Sequence, residues 1–155
     1  MRKLSEVEHA KALMTEAMGW SVVKWLSEKK RVRKTADLAN AALDRLDEEI
    51  KTHWSDALKT AYSELGTKSD GAGRQQHKQP SQGNDPQVML LAKKLKEADD
   101  EACRVRVDAE DTFDQAEKQL STRLAREGCQ KAIECWDLHE QAIRKSEAAI
   151  GATKA

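Results

Sequence analysis

The segment Thr67-Lys-Ser-Asp-Gly-Ala-Gly-Arg-Gln-Gln-His-Lys-Gln-Pro80-Ser-Gln-Gly-Asn-Asp-Pro86 carries both prolines of the 155-residue chain and no large apolar side chain. Nothing in it can offset the entropy of ordering it, so residues 66–86 read as a flexible polar linker. Proline is excluded from helix interiors, and the proline-free flanks on either side have a strongly helix-forming composition. The expected architecture is therefore all-α: two long antiparallel helices folded into a coiled-coil-like hairpin. Residues 1–65 form one helical arm and residues 87–151 the other, together one domain.

Capping signals bound the arms. Ser5 with Glu8 three residues on has the spacing of a reciprocal capping box, and Gly66 is a stop. Asp85 before Pro86 is a strong helix start, and Gly151 a C-terminal stop. Ala36, Ala39, Leu43, Leu46, Ile50, His53 and Ala57 recur at threes and fours, as do Val88, Leu91, Leu95, Ala98, Ala102, Val105, Ala109, Thr112, Ala116 and Leu120. Each series forms one narrow helical stripe. Pairing about the linker sets Leu65 opposite Gln87, and an unbroken arm would be up to ~90 Å long. Gly19, the charged run Ser27–Thr35 and Gly128 are candidate breaks. A break at the charged run would turn the hairpin into a four-helix bundle.

Composition narrows the function classes. Charged residues make up 35% of the chain and aromatics 4%, while the formal net charge is zero. There is thus no global attraction to nucleic acid or to an anionic membrane, and no apolar run of the ~20 residues that span one. Cys103, Cys129 and Cys135 form an odd set without a C-x-x-C spacing, and the first residues run straight into charged helix without an apolar signal region. The expected compartment is the cytoplasm, with the thiols reduced. No glycine-rich phosphate loop and no nucleophile motif is present, so the chain reads as non-enzymatic, with no cofactor.

Three groups of residues are candidate sites. From Ala10 to Leu26 the apolar residues cover well over half of the helix circumference, more than one partner helix can bury. Trp20, Trp25, Leu26 and Trp136 are therefore expected to anchor a partner, and self-association as a homodimer or higher oligomer is the leading function. Glu6 and His9 have the Glu-x-x-His spacing of helix-bundle metal sites, and the assumed register brings His139 and Cys135 within about a turn of His9. Metal or cofactor binding is thus an alternative, although His139, between Trp136 and Ile143, fits a packed histidine better. Lys29, Lys30, Arg31, Arg33 and Lys34 wrap more than once around a helix and form a basic belt, an alternative nonspecific site for nucleic acid or another anionic surface. Glu97 to Glu117 carries nine carboxylates. Self-association that joins this acidic stretch to the belt of a neighbour should weaken with salt. The sequence names no partner, ligand or pathway.

Overall fold

The computed structural model describes residues 4–68 and 86–152. They are all-α, with five helices: α1 (Ser5–Ala17), α2 (Val22–Lys51), α3 (Asp56–Lys68), α4 (Pro86–Gln119) and α5 (Thr122–Ala152). Residues 69–85, most of the expected linker, and the Asp85 cap lie outside the described residues.

Neither arm is continuous. The first breaks at 18–21, beside Gly19, and again at 52–55; the second breaks at 120–121. A serine caps the helix that follows each break. Ser21 Oγ accepts from the Lys24 amide at 3.2 Å, Ser55 Oγ from Leu58 at 3.2 Å and Ser121 Oγ from Leu124 at 3.1 Å, satisfying amides that would otherwise lack a partner. The turn before α5 has Leu120 at φ 51°, and the Ser121 amide donates back to Ala116 O at 3.2 Å. This is the six-to-one bond of a helix ending in a left-handed residue.

Two expected breaks are corrected. The charged run 27–35 stays helical inside α2, because Val32 and Thr35 turn inward and anchor it. Gly128 is an interior residue of α5, and its missing side chain makes room for Phe113, whose Cδ1 would lie 2.6 Å from an added Cβ. Three cap signals are corrected as well. Leu4, not Ser5, holds the cap position of α1 and makes no side-chain cap bond, while Glu6 and Glu8 oppose the positive helix end. Gly66 lies within α3 and Gly151 within α5.

Helix α5 is the hub. It packs most extensively against α4, its antiparallel neighbour across the 120–121 turn, and also against α2 and α1. Asn40 meets Trp136 while Trp54 meets Ser146, so α2 runs parallel to α5; Lys11 meets Asp137 and Arg126 meets Met18, so α1 runs antiparallel to it. The larger core gathers Met14, Trp25, Val32, Leu43, Phe113, Cys129, Trp136 and Ile143, with the Trp25 and Phe113 rings stacked 5.8 Å apart. A second core holds Trp54, Leu58, Ala61, Ala92, Leu95 and Ala149, where α3 lies against α4 and the end of α5. Burial of these side chains supplies the main drive to fold, each large one contributing roughly 1.5–3 kcal/mol.

Candidate functional site

Small side chains decide where the surface stays open. Toward the N-terminal half of α4 and the C-terminal half of α5, alanines at 98, 142, 148, 149 and 152 leave a groove of ≈590 Å³ between the two helices. Leu91, Leu95 and Leu138 complete its apolar lining, and Lys94, Glu97, Glu101, Gln141 and Lys145 form its rim. Further back along α5, α1 covers a neighbouring face, held by the Lys11 ammonium on Asp137 at 2.7 Å and Glu140 at 2.8 Å. Among the described residues its lining comes from α4 and α5 alone. Such a face can accept a helix, since small residues at a contact let helix axes approach closely.

A polar joint lies between the two cores. Lys51, the last residue of α2, bonds Asp47 at 2.9 Å and Asp99 at 2.7 Å, while its ammonium sits 4.7 Å from the Tyr62 ring centroid and 5.6 Å from that of Trp54. Tyr62 donates its hydroxyl to Asp99. Burial opposes the charge on Lys51, yet Asp99 and Asp47 together hold its pKa above the ordinary lysine value. Burial, then Asp99, raises the Tyr62 hydroxyl too, and burial raises the Asp47 carboxyl. Lysine and tyrosine are thus both locked in their protonated forms, which suits a clamp and not proton transfer near neutrality. Beside the joint, burial lowers the pKa of His139 against the pull of Asp47, Asp44 and Asp99, favouring a neutral imidazole.

The expected partner anchors separate. Trp25 and Trp136 are fully enclosed by their own chain, and Trp136 donates to the buried Asn40 Oδ1 at 2.8 Å, so both serve the core and offer no surface to a partner. Trp20 and Leu26 are partly exposed; Lys24 and Arg31 lie over the Trp20 ring, 5.4 and 6.0 Å from its centroid.

The expected metal ligands are not assembled. His9 is exposed on α1, Cys135 is buried in the core, and among the described residues no group of three or more His, Cys, Asp and Glu gathers as a metal site. Burial pushes the Cys135 thiol up to about 12 and that of Cys129 to about 11, which keeps both as inert thiols. Cys103 is exposed.

The basic belt is largely engaged within the chain. Arg33 bonds Asp114 at 2.8 Å and Glu117 at 2.9 Å, Lys29 lies 3.6 Å from Glu117, and Arg31 pairs with Glu28 at 2.8 Å. The acidic stretch of α4 therefore meets the belt inside one molecule, and no neighbour is needed to join them. Lys30 and Lys34 are exposed on the outer side. The α4/α5 groove, absent from the sequence reading, had one signal available: Ala148 and Ala152 continue the Leu138, Gln141, Lys145 stripe on a face that no expected partner explained.

No helix among the described residues is long and apolar enough to cross a membrane. No protein-family model matches the chain, and neither a curated protein nor a solved structure matches it.

Proposed function

We propose that this is a non-enzymatic, cytoplasmic helical protein that works by binding another helical surface, in a second copy or a protein partner, through the groove between α4 and α5. The two arms still act as one folded hairpin in this reading, their long helices supplying a stiff frame for that surface. The observation that carries it is the groove itself: an apolar floor with leucine and alanine walls, bounded by a rim of both charge signs. Exposed apolar surface framed by polar residues is what interaction sites present.

Sedimentation of the full chain across concentration tests the reading. We expect a dimer or larger assembly, and we expect Ala148→Arg, which places a long cation on an exposed groove wall, to abolish it without changing helicity. A wild-type chain that stays monomeric and that an Ala148→Arg bait fails to distinguish in partner capture would overturn the reading. A nucleic-acid role has less behind it, because Arg33, the most enclosed cation of the belt, is committed to two carboxylates.

A further inference from the structure

The rim of the groove has an arrangement of charge that selects its occupant. The antiparallel register that sets Phe113 against Gly128, and Lys131 against Asp108 and Thr112, carries Glu97 on α4 to the level of Lys145 on α5. Both side chains are exposed. Neither makes an ion pair within its chain among the described residues, whereas the neighbouring Lys96 and Glu101 are engaged by Asp100 and Arg104. One wall thus presents a free carboxylate and the other a free ammonium at the same height, with the apolar floor between them.

We infer that the groove is closed by a second copy of this chain, related by a twofold axis running along the groove, so that Glu97 of each copy faces Lys145 of the other. This rests on the self-association reading above and names its geometry. Rotation about an axis along the groove keeps each level in place and exchanges the two walls, so α4 of one copy lies on α5 of its partner. Two Glu97–Lys145 contacts follow from one operation, as a self-complementary interface requires. A twofold axis across the groove would instead lay α4 on α4 and α5 on α5, bringing Glu97 near its own copy and Lys145 near its own. Charge therefore chooses between the two symmetries. The chain carries no net charge, so no long-range repulsion opposes pairing of copies, and alanine at 98 and 148 permits close approach of the helices.

A charge-swap series read by sedimentation equilibrium and native mass spectrometry tests this. The wild-type chain dimerises; Glu97→Lys alone and Lys145→Glu alone, each placing like charges opposite one another, weaken the dimer by at least about tenfold. Mixing the two single variants gives a heterodimer close to wild-type affinity, and the Glu97→Lys/Lys145→Glu double variant again forms a homodimer. Circular dichroism of each variant should be unchanged, since both sites are exposed. A wild-type dimer indifferent to the single changes, or not restored by the mixture and the double variant, overturns this interface and leaves self-association standing. A monomeric wild-type chain overturns both.

Discussion

Gly128 lies inside α5 where the Phe113 ring comes closest, and Phe113 is itself held between the stacked Trp25 ring and the Arg33 guanidinium, 5.8 and 5.4 Å away. An alanine there gains helix propensity of about 1 kcal/mol over glycine. It also sets a Cβ at 2.6 Å from a carbon of the Phe113 ring, and overpacking a tight core typically costs about 1–3 kcal/mol. The clash outweighs the propensity, so Gly128→Ala should lower stability by roughly 1 kcal/mol or more in chemical denaturation, with the slope unchanged. Equal or greater stability would show that α4 and α5 are less closely apposed. At this scale a sequence is ambiguous: a glycine in a helix reads equally as a hinge or as a contact point, and only the facing residue decides. The same ambiguity governs Trp25 and Trp136. Their wide apolar face was legible, but whether the chain covers it or a partner does depends on a fold that wraps α1, α2 and α4 around α5. His139 was legible as a packed residue because its flanking positions are Trp136 and Ile143.

The helices themselves are legible where a long stripe repeats and illegible where a turn uses unusual chemistry. All-α character follows from composition and from the confinement of proline, and the structure agrees. The break beside Gly19 carries a glycine signal. The other two do not, since each turns on a serine cap that looks like any other serine, and the α4/α5 turn places leucine where glycine is usual. Leu120 at φ 51° bears the steric penalty of a side chain in the left-handed region, roughly 1–2 kcal/mol. It is also 61% exposed, so its side chain contributes little packing in return. Leu120→Gly should therefore raise stability by about 1 kcal/mol, after allowing for the extra freedom glycine gives the unfolded chain. Thermal melts of the two proteins check it. A loss of stability would mean that the leucine side chain packs against something the isolated chain does not contain, and the same melts repeated at dimer-dissociating concentration would expose that dependence.

Across the whole molecule, the stripes told which face of α2 and of α4 is buried, up to Ile50 and Ala116, but not which helix buries it; His53, Ala57 and Leu120 at their ends are exposed. Between α2 and α4 there are ion pairs of long side chains, Arg33 to Asp114 and Lys51 to Asp99, while the close packing is between α4 and its sequence neighbour α5. The chain consequently has two cores of unequal size along one frame, and the joint at Lys51 lies between them. That joint ties three helices at once: Asp47 and Lys51 on α2, Tyr62 on α3 and Asp99 on α4. Replacing Lys51 with methionine keeps the bulk of the side chain but removes the cation that bonds two part-buried carboxylates, one of which already has a buried oxygen without a partner among the described residues. Losing one member of an enclosed ion pair costs about 3–5 kcal/mol, and the residual exposure of these groups brings the expectation to about 2–3 kcal/mol. The loss should not spread evenly. The smaller core has few buried side chains to hold α3 once the joint fails, so native-state hydrogen exchange of Lys51→Met should show α3 and the start of α4 opening at lower free energy, while amides of α1 and of α5 near Trp136 keep their protection. If protection falls by the same amount in every helix, the two cores melt as one unit and the joint is an ordinary part of a single cooperative bundle.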